Sequence, residues 1–131
     1  MISRFKKVGR DVSGQSAVEF ALVLPLFILM VVTIVEFGRL WMTVNVMTSA
    51  AREGARVAAV SRPDYSLVNS AAQSVLAASQ ISGATVNLSG PNSSGDVRVT
   101  VSLVYTSITG NIIPRLRSLQ LTRTSTMHWE D

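Results

Sequence analysis

The chain has 131 residues, of which 47% are hydrophobic, with a formal net charge of +4 and no cysteine. This length accommodates one membrane anchor and one small domain. The absence of cysteine excludes thiol catalysis and cysteine-ligated metal sites. Most of the net positive charge lies in residues 1–14, which hold four basic side chains against one acidic. No basic face interleaved with aromatic residues indicates nucleic-acid binding.

The first predicted element is a transmembrane helix over residues 15–41. Its central run, Phe20–Val35, carries no charge and rises only about 24 Å as a helix, against a hydrocarbon core of about 30 Å. Flanking apolar residues supply the missing length, with Trp41 near the expected aromatic belt. The basic residues before the run predict a cytoplasmic N-terminus and an extracytoplasmic domain over residues 42–131. A cleaved secretory signal peptide is the rival interpretation, but EFGRLWMT, bulky and charged, stands where a small-residue cleavage site is needed.

The helical pattern continues beyond the predicted span, over residues 42–60, because this stretch is rich in good helix formers and contains no proline. Within the span, Pro25 removes one backbone hydrogen bond and should bend or loosen the helix. Small residues recur every four positions on one face of the extension: Ala50, Gly54 and Ala58. Such a row permits close approach of another backbone, either in the core of the outer domain or at a subunit contact.

The outer domain is predicted to add one helix and three strands. The helix covers residues 64–80, after the break Ser61-Arg62-Pro63 and before a glycine stop near Gly83. Alternating apolar residues predict strands over residues 84–89, 96–108 and 119–129. The turn-rich GPNSSG makes the first two strands a hairpin. The predicted fold class is α+β: a long N-terminal helix that continues into a small domain, where a second helix packs on a three-stranded, largely antiparallel sheet.

The sequence offers little for catalysis. His128 is the only histidine, and one histidine without cysteine or clustered carboxylates makes neither a metal site nor a convincing general base. Two pairs of opposite charge lie three residues apart on the long helix: Glu36 with Arg39, and Glu53 with Arg56. We interpret both as solvated or interfacial pairs that contribute well under about 1 kcal/mol. An enzyme is therefore not expected, and neither is a metal or cofactor.

One carboxylate remains unexplained. Glu19 stands at the start of the membrane span, where a charged residue is costly unless it has a partner or a purpose. It is the fifth residue after Gly14, and the basic stretch MISRFKKVGRDVSG ends at that glycine. With Phe20 following Glu19, this pattern resembles the type IV pilin-like proteins, specifically the TadE-like minor pilins, or pseudopilins, of the tight-adherence (Flp) pilus system. The stretches LVLPLFILMVVTIVEFGRLW and AAREGARVAAV are similar to the rest of the TadE-like pattern.

The resemblance implies a structural role in assembly, initiation or capping of a pilus used for adherence. Residues 1–14 would be a leader that a prepilin peptidase removes by cutting between Gly14 and Gln15. Glu19, beside Phe20, would then neutralise the new N-terminal ammonium of a neighbouring subunit. The implied partners are the prepilin peptidase, other major and minor pilins, the inner-membrane assembly platform and the lipid bilayer.

The implied location is the inner membrane, crossed once, with possible incorporation into the extracellular pilus. The alternative is an uncleaved single-pass envelope protein whose outer domain binds a component of the pilus secretion apparatus. Mass analysis of the N-terminus separates the two.

Overall fold

The computed structural model describes residues 12–61, 64–108, 110 and 117–129. Its elements are α1 (Val12–Val60), α2 (Tyr65–Ala78), β1 (Thr85–Ser89), β2 (Asp96–Thr106) and β3 (Ser118–His128). Long helix, second helix and three-stranded antiparallel sheet follow in the predicted order, which confirms the α+β fold class. Most of the predicted leader, up to residue 11, lies outside the described residues.

The chain divides into two compact units, residues 1–34 and 35–131. In the first unit, α1 is an apolar helix whose side chains from residue 14 to residue 31 are all exposed. Such a surface is unfavourable in water, since it leaves large aliphatic groups unburied. Among the described residues, α1 is the one helix long and apolar enough to cross a membrane. The helix runs without interruption through Pro25.

In the second unit the three strands have the order β1-β2-β3, with both neighbouring pairs antiparallel. β2 is the central strand, and its alternate residues Val97, Val99 and Val101 are fully buried. Against this face pack small residues of α1 and one face of α2, on which Val68, Ala72 and Leu76 are buried. The second half of α1 is thus part of the domain core, and its alanines let helix and sheet approach closely.

α2 is closed at both ends by side-chain and backbone hydrogen bonds. The Asp64 carboxylate accepts from the Ser66 hydroxyl and backbone amide, each at 2.8 Å, and these two bonds lower the pKa of the Asp64 carboxyl. At the other end the backbone amides of Gln80 and Ile81 donate to the carbonyls of Ala77 and Leu76. This is the Schellman pattern.

The stop of α2 differs from the predicted one. Gln80, at φ 57°, adopts the left-handed conformation that ends the helix, whereas Gly83 lies three residues further on at φ 78°. The helix therefore ends at Ala78. The partly buried side chain of Ile81 packs against the core that contains Leu76, and this contact accompanies Schellman closure. The packing of Ile81 thus favours a helix end at Gln80, whereas the preference for glycine alone predicts an end near Gly83.

Candidate functional site

The residues with a predicted role in processing lie in the first turns of α1. Gly14 is exposed, and a Cβ built on it would meet no atom within 4 Å. Gln15 and Glu19 are one turn apart on the same face, and the Gln15 side-chain amide donates to Glu19 Oε1 at 3.3 Å. Both residues are exposed, as is Phe20, with 66% of its surface accessible. The helix therefore presents a carboxylate within an otherwise apolar, uncovered surface.

The row of small residues has an intramolecular use. Ala50 and Ala58 are fully buried in the core of the second unit. A Cβ at Gly54 would lie 3.1 Å from Val99 Cγ1, which is tighter than ordinary van der Waals contact. Glycine at this position therefore lets β2 approach α1. The row lies beneath the sheet and faces the protein's own core.

A buried carboxylate on α1, Glu36, is the centre of a polar site that joins the helix to the end of β2. Only 9% of its surface is exposed. The Tyr105 hydroxyl donates to Oε1 at 2.8 Å, and the backbone amide of Ile108 donates to Oε2 at 3.3 Å. Arg39 Nη1 lies 3.7 Å from Oε2. We call this group, Glu36 with Arg39, Tyr105 and Ile108, the Glu36 cluster.

The cluster ties the end of β2 to α1 across 69 residues of sequence. Tyr105 is itself 7% exposed, and its burial, together with the hydrogen bond to the Glu36 carboxylate, raises the pKa of the phenol. The Arg39 guanidinium carbon lies 6.0 Å from the centre of the Tyr105 ring, within the range of a cation–π contact. The carboxylate is thus compensated by a hydroxyl, an amide and a guanidinium.

From sequence we interpret Glu36 with Arg39 as a solvated or interfacial pair. Glu36 is not solvated, because the end of β2 covers it, and an interfacial position stays a prediction. A sequence signal existed, because a carboxylate that ends an apolar run needs a partner. That partner, Tyr105, could not be identified without the packing of β2 on α1. The second pair is as interpreted: Glu53 and Arg56 form a bidentate surface pair, with 61% of the Arg56 side chain exposed.

The remaining polar groups do not form a catalytic constellation. His128 Nδ1 lies 3.2 Å from Asp96 Oδ1 at the far end of β2, and 64% of the His128 side chain is exposed. Within the described ranges, no group of three or more histidine, cysteine, aspartate or glutamate side chains is placed to hold a metal ion.

Comparison with known proteins bears on α1. Residues 14–56 match the family described as TadE-like protein, so the match starts at Gly14 and ends before α2 and the sheet. No curated protein matches the chain, and neither does any solved structure. TadE-like proteins are typically structural and non-enzymatic. The sequence pattern, the exposed apolar helix and the family match agree: residues 14–56 are a TadE-like family domain.

Proposed function

We propose that this protein is a structural minor pilin, or pseudopilin, that takes part in the assembly, initiation or capping of a tight-adherence pilus. The observation that carries the proposal is the TadE-like match beginning at Gly14, with an exposed carboxylate at Glu19 on an uncovered apolar helix. The protein performs no catalysis and needs no cofactor. Its partners are other pilins and the inner-membrane assembly platform.

Processing is the first step of the proposed function. A prepilin peptidase cuts between Gly14 and Gln15 on the cytoplasmic side, which removes the basic leader and creates an α-ammonium group on Gln15. A glycine suits the cut because it adopts extended conformations at little cost. Gly14 is exposed, and a Cβ at this position would meet no atom within 4 Å other than those of its chain neighbours and its own helical backbone. These surroundings are compatible with access by a protease.

Glu19 then directs assembly. In the single chain its carboxylate accepts from the neutral Gln15 amide. In the filament the ammonium group of a neighbouring subunit takes the place of that amide and pairs with Glu19. Opposite charges attract strongly in the low dielectric of a helix bundle, although desolvation offsets much of the gain. The pair therefore sets the register between subunits more than it adds stability.

The apolar surface of the first unit supplies the remaining contacts. Before assembly, α1 crosses the inner membrane once, with the N-terminus in the cytoplasm and residues 42–131 outside. During assembly the same surface passes from lipid to the α1 helices of neighbouring subunits. Both environments are apolar, so the transfer costs little hydrophobic free energy.

One observation favours the alternative of an uncleaved envelope protein. Gly14 and Gln15 lie inside α1, which begins at Val12, and a peptidase requires an extended chain. Cleavage therefore needs local unwinding of the first turns. In the alternative, the leader stays attached, and the outer domain binds a component of the secretion apparatus.

Intact-mass analysis after co-expression with the cognate peptidase tests processing. We expect a chain that begins at Gln15. We expect Gly14→Val to keep Met1, because glycine lets a protease approach the backbone closely and a branched side chain at this position blocks that approach. Gly38→Val is the matched control, since Gly38 is also helical with open surroundings, and it should be processed normally. A wild-type chain that still begins at Met1 would support the uncleaved alternative.

Incorporation into pili tests the role of Glu19. We expect Glu19→Ala to be processed normally but to be missing from sheared pilus fractions, because the neighbour's ammonium group loses its partner. Glu53→Ala is the matched control: it removes a carboxylate from the same helix, where it forms only a surface pair. Normal incorporation of Glu19→Ala would refute the pairing role.

A further inference from the structure

The Glu36 cluster stands where the apolar run of α1 ends. Val35 is the last residue of the run and Glu36 follows it directly, one residue or about 1.5 Å further along the helix axis. The Ile108 backbone amide is 3.3 Å from the Glu36 carboxylate. The C-terminal end of β2 therefore contacts α1 at Glu36, the residue that follows the apolar run in the sequence.

The proposed membrane span is longer than this apolar run. Phe20–Val35 spans about 24 Å, less than a hydrocarbon core of about 30 Å. Beyond Glu36, Phe37 and Trp41 are 65% and 61% exposed, and their rings stack with centroids 6.4 Å apart. Exposed aromatic pairs of this kind belong in the headgroup region. The span thus extends past Val35, and Glu36 lies below the aromatic pair.

The two ends of β2 differ in polarity. Near Glu36, exposed apolar side chains lie on both faces of the sheet end: Val104 at 64%, Ile108 at 55% and Leu119 at 37%. At the opposite end, β2 begins with Asp96, paired with exposed His128, after a turn that contains Asn92 and Ser94. Eleven residues of strand separate the ends by about 33 Å. One end is suited to lipid and the other to water.

The geometry points to a lipid-docking surface at the end of the sheet formed by Val104–Ile108 and Leu119. This surface lies in the phospholipid headgroup region on the extracytoplasmic face of the inner membrane. There Tyr105 and the Ile108 amide compensate Glu36. This inference rests on the proposed membrane span. It accounts for a carboxylate inside the predicted membrane span, because its oxygens receive donors from the domain instead of from water. It also accounts for apolar side chains that the domain core does not use.

The absence of cysteine allows a direct test with single spin labels. Ile108→Cys, Ile28→Cys and Ser93→Cys chains carry a nitroxide at the sheet end, in the middle of the apolar run and in the distal turn. Each full-length chain is reconstituted into vesicles of phosphatidylethanolamine and phosphatidylglycerol. Power saturation compares the collision of each nitroxide with oxygen, which partitions into lipid, and with a water-soluble nickel chelate.

We expect the oxygen-to-nickel collision ratio to decrease from Ile28 to Ile108 to Ser93. Val104→Cys should resemble Ile108→Cys, which protects the conclusion if one substitution perturbs folding. If labels at residues 104 and 108 are as accessible to nickel as the label at residue 93, while the label at residue 28 is in lipid, the docking surface is refuted and the membrane span is not. Shielding of 104 and 108 from both reagents would overturn it in favour of a protein contact. A water-exposed label at residue 28 would instead refute the membrane span.

Discussion

Replacing Tyr105 with phenylalanine removes the shortest hydrogen bond to Glu36 and leaves the buried ring in place. The lost bond, 2.8 Å between hydroxyl and carboxylate, involves a charged acceptor, and such bonds contribute about 1.5–3 kcal/mol. The Ile108 amide and Arg39 remain, at 3.3 and 3.7 Å. Since Glu36 stays buried with fewer donors, we expect the free energy of unfolding of the second unit to decrease by about 2 kcal/mol.

Urea unfolding of the full chain in detergent micelles measures this loss. Trp129, which packs against the core, reports unfolding in a Trp41→Phe background that removes the second tryptophan. With an m-value of about 1–2 kcal/mol/M, the midpoint should fall by about 1–2 M.

Tyr65→Phe is the matched control for this prediction. The Tyr65 hydroxyl donates to the uncharged Val86 carbonyl at 3.0 Å, and 54% of Tyr65 is exposed. Its removal should cost at most about 1 kcal/mol. Equal midpoints for the two variants would refute the reasoning, because the charge and burial of Glu36 would then contribute nothing.

Three further predictions concern the second unit and use the same unfolding measurement. Gln80→Gly relieves about 1–2 kcal/mol of strain in the left-handed backbone conformation and adds about 0.5–1 kcal/mol of chain entropy to the unfolded state, so the urea midpoint should rise slightly. Gln80→Ala should not raise the midpoint, and a rise there would contradict the strain argument. Gly54→Leu forces a side chain against Val99 and should lower the free energy of unfolding by about 1–3 kcal/mol. Gly38→Leu, with open surroundings, should lower it little. Equal losses for the two variants would exclude overpacking as the cause. The pKa of Tyr105 is raised on folding, so its contribution is complete below an unfolded-state pKa of about 10 and is lost as the pH rises through the folded value; unfolding followed from pH 8 to pH 11 should therefore show a steeper alkaline loss in the wild type than in Tyr105→Phe, and parallel curves would count against it.

The fold was predictable from sequence because its signals are local and repeated. Strict alternation along β2 identifies the buried face, and Val97, Val99 and Val101 are indeed fully buried. The spacing of Val68, Ala72 and Leu76 likewise marks the buried face of α2. Each pattern depends on the period of one element, so no knowledge of the partner element was needed.

The Glu36 cluster could not be predicted in this way, because its members come from distant parts of the chain. Glu36 and Arg39 suggested a simple pair three residues apart. Only the packing of β2 on α1 brings Tyr105 and the Ile108 amide to the carboxylate. The same limit applies to the stop of α2, since the contact of Ile81 with the core decides that Gln80 takes the left-handed conformation.

The position of α1 ahead of the sheet in the chain sets an order of events during biosynthesis. Met47, Ala50, Ala51, Ala55 and Ala58 leave the ribosome before β2, against which they are fully buried in the finished domain. Until Asp96–Thr106 has been synthesised, this alanine-rich face has no sheet to cover it. Domains generally fold as units once their sequence is available. The second unit therefore completes its core only late in synthesis, and in a nascent chain stalled before β2 this helix face stays uncovered.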